Sequence, residues 1–291
     1  MDFMLKNKLL ITGANGQLGT GMQKAFLDSN YEVIPLGKTD LDITNRGQIK
    51  QVLANRQPQI IINCAAYNKV EMAEEDAAEA FTQNTLGPYW LAKEARSVGA
   101  ILVHVSTDYV FDGEKEKYKE VDCPNPLNVY GESKLAGERL TLMVNPNNYV
   151  IRTSWLFGPS MDDKSQNFVM TLLSRAKENF EIRVVNDQRG CPTYAPDLAM
   201  KIRELLEKGA SGGIYHITSS SPCAWYDFAK KILELAGVSV KVTPITTEES
   251  GTKVRRPRSS VLENKKLEDL NIPVLRHWSE ALTDYLKIIN N

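Results

Sequence analysis

The sequence predicts an α/β protein: a Rossmann-type, doubly wound parallel sheet with a smaller C-terminal substrate-binding region. Three observations carry this. Short apolar runs alternate with helix-spaced segments through the first half of the chain. A glycine-spaced turn, Thr12-Gly13-Ala14-Asn15-Gly16-Gln17-Leu18-Gly19, directly follows the first of those runs. Beyond about Trp155 the alternation loosens, and turn signals crowd in at Gly158-Pro159, Arg189-Gly190-Cys191-Pro192 and Gly212-Gly213.

In order, Lys8 to Thr12 reads as a strand and Gln17 to Asn30 as a helix, with Leu18, Met22, Ala25 and Phe26 at helical spacing. Glu32 to Leu36 is a second strand, and Thr44 to Asn55 a helix with Ile49, Val52 and Leu53 on one face. Gln59 to Asn63 is a third strand. A long helical stretch follows from about Ala73 to Ala95, with Gly87-Pro88 as its predicted break or kink. Ile101 to Ser106 is the fourth strand, Ser133 to Leu142 lies in a helix, and Tyr149 to Thr153 is the fifth strand. Strands Ile182 to Val185, Ile214 to Ile217 and Val240 to Thr243 then alternate with helices near Phe168–Ala176, Asp197–Lys208 and Trp225–Ala236. Residues 1–157 are expected to form the dinucleotide domain. Residues 158–291 are expected to be mainly substrate-binding, with some segments returning to the first domain.

Composition narrows the class. The 291 residues are 42% hydrophobic, and the formal net charge of −1 gives no long-range attraction to nucleic acid or anionic membrane. The first apolar run, Leu9-Leu10-Ile11, is too short for a signal-peptide core or a membrane span, and no later one suffices. A cytoplasmic protein is expected. Cys64, Cys123, Cys191 and Cys223 show no CxxC spacing and suit reduced thiols, and with three scattered histidines no metal site is expected.

The glycine turn has a physical reading. Gly13 permits the tight exit from the strand, Gly16 lets a pyrophosphate approach the backbone, and Gly19 allows helix and strand to pack closely. Backbone N–H groups at the helix start, near Gln17 and Leu18, then face the phosphates. The second strand ends Leu36-Gly37-Lys38, without the carboxylate that would hold a ribose 2′-OH. Lys38 is either a solvated turn residue or an attractor for a 2′-phosphate, so the expected cofactor is NADPH or NADH. The TGxxGxxG spacing resembles the short-chain dehydrogenase/reductase fingerprint. That resemblance implies that Asp42 and Ile43 cap the adenine, and that Ala65, Ala66 and Tyr67 line the cofactor's path.

Tyr130-Gly131-Glu132-Ser133-Lys134 puts a tyrosine and a lysine on one helical face. A free tyrosine titrates near ~10, and a neighbouring ammonium favours its phenolate, which eases proton exchange at neutral pH. The fourth strand ends Ser106-Thr107-Asp108, where polar side chains face a ligand crevice. Thr107 is the candidate hydroxyl for a substrate carbonyl, with Ser106 its rival. Tyr130 delivers the proton and Lys134 tunes it.

The strings STDYVFDG (Ser106 to Gly113), PLNVYGESK (Pro126 to Lys134) and RTSWLFG (Arg152 to Gly158) resemble the dTDP-4-dehydrorhamnose reductase family. So do CAAYNKVEMAE (Cys64 to Glu74), NFV (Asn167 to Val169), VVNDQRGCPTY (Val184 to Tyr194) and a late RRP (Arg255 to Pro257). The resemblance covers nearly the whole chain. It implies reduction of the C4 ketone of dTDP-4-dehydro-6-deoxy-L-mannose to dTDP-L-rhamnose. It also implies cofactor contacts at Gly16, Gln17, Leu18, Asp42, Ile43, Ala66, Tyr67, Tyr130 and Lys134, and sugar contacts at Thr107, Asp108, Tyr130, Trp155 and Asn167. Trp155 is either a flat wall for a sugar ring or a core tryptophan. Some members of the family place a magnesium ligand two residues past the third glycine. Gly21 stands there, and Pro196 stands at a second ligand position, so no metal and a monomer or weak homodimer are expected. A 4,6-dehydratase of the same fold carries a glutamate after the Thr-Asp pair, whereas Tyr109 follows Asp108 here. Another nucleotide-4-keto-6-deoxyhexose reductase or epimerase stays open. So does a regulatory subunit resembling the methionine adenosyltransferase β-subunit, although Thr107, Tyr130 and Lys134 are all present.

Overall fold

A computed structural model describes residues 7–162, 167–178 and 181–289. Its central sheet has six parallel strands: β1 (Asn7–Thr12), β2 (Tyr31–Leu36), β3 (Ile60–Asn63), β4 (Ile101–Thr107), β5 (Tyr149–Thr153) and Gly213–His216. They run across the sheet as β2, β1, β3, β4, β5 and Gly213–His216. The chain leaves β1 to one side for β2 and crosses to the other for β3, which opens a crevice at the carboxyl ends of β1 and β3. Pairing aligns Thr12 with Asn63, Asn63 with His104, and Thr107 with Thr153, so polar residues collect at that end of the sheet.

Helices cover both faces: α1 (Gln17–Ala25), α2 (Arg46–Arg56), α3 (Val70–Glu75), α4 (Ala77–Phe81), α5 (Gly87–Ser97), α6 (Val129–Val144), α7 (Phe168–Glu178), α8 (Ala195–Glu207) and α9 (Trp225–Leu235). Strand alternation divides the core between the two layers. Leu9 and Ile11 pack with Met22 of α1, with Phe26 just past its end, and with Leu198 and Ile202 of α8. Leu10 packs on the other face with Leu53 of α2 and Leu91 of α5. A separate core joins Phe157, Leu172, Ile182, Phe228 and Trp278, beneath the paired strands Glu181–Val185 and Lys241–Ile245.

Three departures from the sequence expectation have local causes. The long helical stretch divides at Asp76, which caps α4 by accepting from Glu79 N (3.0 Å), and passes through a π-helical turn at Thr82–Leu86. Pro88 sits in the first turn of α5, where its missing N–H costs no hydrogen bond, so the chain stays helical through Gly87-Pro88. Helix α6 starts at Val129, ahead of the expected Ser133, because Asn128 Oδ1 accepts from Gly131 N at 2.8 Å. Tyr130 therefore lies in its first turn.

Candidate active site

The glycine turn is built as its spacing demands. Gly13 has φ of 61°, and a Cβ there would lie 2.7 Å from Ala65 N; one on Gly19 would lie 2.3 Å from Gly13 O. A Cβ on Gly16 would meet the protein only at 3.4 Å, so the protein itself tolerates a side chain there. That bareness suits close approach of a ligand to the backbone. Gly16 caps α1 without a side-chain bond, and the first-turn N–H groups have no intrahelical acceptor, which makes this end of the cleft an anion site.

At the end of β2 the expectation of a missing carboxylate needs correction. The chain turns back after Gly37, with Asp40 N and Leu41 N both bonded to Gly37 O, and the Asp40 carboxylate accepts from Gly37 N at 2.9 Å. A carboxylate thus stands at the strand end, supplied from four residues beyond Leu36. Lys38 is exposed. Asp42 accepts from Thr44 N (2.9 Å) and Thr44 Oγ1 (2.7 Å). Burial pushes its pKa up, but those bonds and the Lys38 charge outweigh it and hold Asp42 below the usual carboxylate range. Ile43 is buried beneath Gly87.

Asn84, which the sequence did not single out, binds the far wall together. Its amide accepts from Tyr67 N (2.8 Å) and donates to Tyr67 O (2.8 Å) and Ser133 Oγ (3.0 Å). The π-helical turn carries it, and Gly137 permits α6 to close on it, since a Cβ there would lie 2.1 Å from Asn84 O. The Ala65–Tyr67 segment is tied in this way to the helix that bears Tyr130 and Lys134.

Both side chains line the cleft, Lys134 buried and Tyr130 half-buried, in a cavity of about 340 Å³ that also contains Gly16, Gln17, Ala66 and Asp108. The Tyr130 hydroxyl meets that of Thr107, while burial pushes the phenol up, with Thr107 opposing and the Asp108 charge adding to the rise. The expected lowering of Tyr130 by Lys134 is not what the geometry gives. Lys134 Nζ donates to Val105 O at 2.6 Å, and burial draws its own pKa down to about 8 against the opposing charges of Glu138 and Cys64. Tyr130 is consequently held as the protonated phenol, the form an acid needs. Ser106 Oγ donates to Glu138 Oε1 at 2.5 Å, so its proton is already committed. Glu138, one turn past Lys134, also receives Arg152 Nη2 at 2.6 Å in an ion pair about 1–2% exposed.

Asp108 is 2% exposed, with Oδ1 3.1 Å from Thr107 Oγ1. Burial lifts its pKa to about 7, with the Ser260 and Thr107 hydroxyls opposing. Trp155, half-buried with φ of 47°, lines the cleft and stacks on Trp225 with ring centroids 3.5 Å apart. It is both a cleft wall and part of the second core, and one face is covered. Asn167 also borders the cleft. Its Oδ1 accepts from Met170 N, and its Nδ2 faces Tyr285 Oη (2.9 Å), Gly158 O and Gln17 Oε1 (both 3.2 Å). Gly21 is buried against α8, where a Cβ would lie 3.1 Å from Ala195 O, next to Pro196 in the first turn of that helix.

A phosphate-ready helix start, a crevice between β1 and β3, and a tyrosine–lysine pair facing it define an oxidoreductase of the extended short-chain dehydrogenase/reductase class. The chain matches the model of the RmlD substrate binding domain family over residues 7–291. It is 41% identical to a dTDP-4-dehydrorhamnose reductase of Aggregatibacter actinomycetemcomitans, covering 94% of this chain and 97% of that protein. It is 40% identical to the spore coat polysaccharide biosynthesis protein SpsK of Bacillus subtilis, over 96% of this chain and 97% of that one. A crystal structure of the Bacillus anthracis dTDP-4-dehydrorhamnose reductase in complex with NADP superposes with a TM-score of 0.93 at 40% identity, covering 99% of this chain and 100% of that chain. The chain belongs to the dTDP-4-dehydrorhamnose reductase family.

Proposed function

We propose that the chain reduces the C4 ketone of dTDP-4-dehydro-6-deoxy-L-mannose to dTDP-L-rhamnose, for a cell-surface polysaccharide. The observation that carries this is the hydroxyl pair: Tyr130, half-buried in the cleft and held protonated, beside Thr107 at the end of β4. The dinucleotide fits the first-turn N–H groups of α1 and the bare backbone of Gly16, and supplies a hydride when bound. Thr107 orients the ketone, and Tyr130 gives its proton to the carbonyl oxygen. Lys134 is fixed by Val105 O beside the tyrosine, and Asn167 steadies Gln17 at the phosphate end.

The nucleotide half of the substrate extends past the Trp155–Trp225 stack into a groove of about 530 Å³ lined by Phe168, Val184, Ile245 and Arg256. Arg256 Nε is buried there with no partner among the described residues, a donor suited to a pyrophosphate oxygen. Both NADPH and NADH serve, with the exposed Lys38 favouring NADPH slightly and Asp40 opposing it. The reading places the reaction in the cytoplasm; none of the described helices is long and apolar enough to cross a membrane.

The test is an NAD(P)H-oxidation assay over a panel of nucleotide 4-keto sugars, with product NMR. One cofactor oxidised per sugar reduced at C4 is expected. Tightly held NAD on the purified protein, with no net oxidation, would instead indicate an epimerase or dehydratase.

A further inference from the structure

Thr107 has more neighbours than its single hydroxyl can serve at once. Its Oγ1 lies 3.1 Å from Asp108 Oδ1, accepts from Tyr109 N at 3.2 Å, and neighbours the Tyr130 hydroxyl across the cleft. A hydroxyl has one proton and two lone pairs, and a carboxylate only accepts. Opposite an ionised Asp108, the threonine proton is therefore drawn to Oδ1. One lone pair is filled by Tyr109 N–H, and the other is open to Tyr130 O–H. The proton Tyr130 would transfer to the ketone and the hydrogen bond Thr107 would give it are then both spent inside the protein.

A protonated Asp108 reverses the count. Its O–H fills one lone pair of Thr107 and Tyr109 N–H fills the other. The threonine proton is released, and Tyr130 finds no acceptor left on Thr107. Both hydroxyls are then free to converge on one carbonyl oxygen.

We propose that Asp108 is a protonation gate acting through Thr107: the carboxylic acid directs the Thr107 and Tyr130 protons to the ketone, and the carboxylate withdraws them. Asp108 is in this sense a positioning residue, and the inference rests on the reductase reading. Its surroundings suit a group that exchanges a proton. The side chain is 2% exposed and Oδ2 makes no close hydrogen bond among the described residues, so burial outweighs the hydroxyl and backbone N–H groups that favour the charged form. Facing it are Tyr130 from α6, with Lys134 one turn further on, and Tyr109 from its own turn. Cys191 faces it from the loop after Gly190. Ser260 faces it from the C-terminal segment, whose Arg256 bears on Tyr109. Burial accordingly raises its pKa to about 7.

The experiment is kcat/KM against pH for the native chain and for Asp108→Asn, whose amide N–H replaces the acid proton and cannot ionise. The native chain should lose about tenfold per pH unit above the gate's pKa. In Asp108→Asn that fall should shrink to less than about threefold between pH 7 and 8.5. Lys134, at about 8, titrates nearby and is kept in the variant. An unchanged fall in Asp108→Asn would assign it to Lys134 and overturn the gate.

Difference infrared spectroscopy with NADP⁺ present needs no turnover. A protonated-carboxyl C=O band should vanish from the native chain as pH rises through neutrality and be missing from Asp108→Asn. Its absence from the native chain at pH 6 overturns the gate even if the product assay succeeds. A failed product assay with the band present would instead count against the reductase reading.

Discussion

Two buried carboxylates flank the strand end that carries Thr107, and they are built in opposite ways. On the floor of the site, Glu138 is met by two nitrogens of Arg152 and by the Ser106 hydroxyl. At the mouth, Asp108 has a hydroxyl at 3.1 Å and one oxygen with no partner among the described residues. The same degree of burial thus yields a fully satisfied ion pair in one place and a proton-holding acid in the other. The difference lies in whether a neighbouring strand supplies an arginine. At β5 it does.

Breaking the floor should produce the largest effect. Arg152→Met leaves Glu138 buried beside Lys134 with its main partner gone, and removing one member of a buried pair costs about 3–5 kcal/mol. Thermal unfolding should register a Tm lower by roughly 10 °C. A change within the error of the melt would mean that Glu138 is not dependent on Arg152.

Removing the proton donor, Tyr130, acts on rate alone. Tyr130→Phe should lower kcat by at least ~10²-fold while dinucleotide affinity, read by a binding titration, stays near that of the native chain. Near-normal turnover would take Tyr130 out of the mechanism.

The glycine turn and the Tyr130–Lys134 pair were legible because each is local, a fixed spacing on one turn or one helical face. Much of the rest is made by distant segments. Glu138 stands four residues past Lys134 in plain view, but nothing in the sequence says that Arg152 of β5 meets it. Asp40 serves the end of β2 only because the chain curls back on Gly37 O. Some segments beyond Trp155 are expected to return to the first domain, but the loosened pattern does not reveal that Gly213–His216 joins the sheet and α8 covers it. The expected tuning of Tyr130 by Lys134 failed for a similar reason: helical spacing places two residues on one face but does not reveal that Val105 O holds the lysine.

The contrast between the two carboxylates also has a stability signature. Asp108 titrates at about 7 in the folded chain against 3.8 unfolded, so the folded state binds the extra proton between those values. Its cost is absent below about pH 4, grows through neutrality and is full above pH 7. Asp108→Asn should therefore raise Tm by about 3–6 °C at pH 8.5 and leave it nearly unchanged at pH 4. An equal gain at both values would separate the effect from ionisation.

The smallest expected effect is at the cofactor's far end. Lys38 is a single exposed charge worth roughly 0–1 kcal/mol, so Lys38→Ala should erase a several-fold NADPH preference and spare NADH turnover. Comparing kcat/KM for the two cofactors decides it. A strong NADH preference in the native chain would make Asp40 the dominant determinant.

The central claim is that the cleft passes a hydride to the sugar's C4 while Tyr130 supplies the proton. Turnover with NADPH deuterated at the transferred nicotinamide position, followed by NMR of the nucleotide sugar, tests it most directly. Deuterium at C4 of a 6-deoxyhexose, one per cofactor oxidised, is the predicted result; a product with no label at C4 would contradict it.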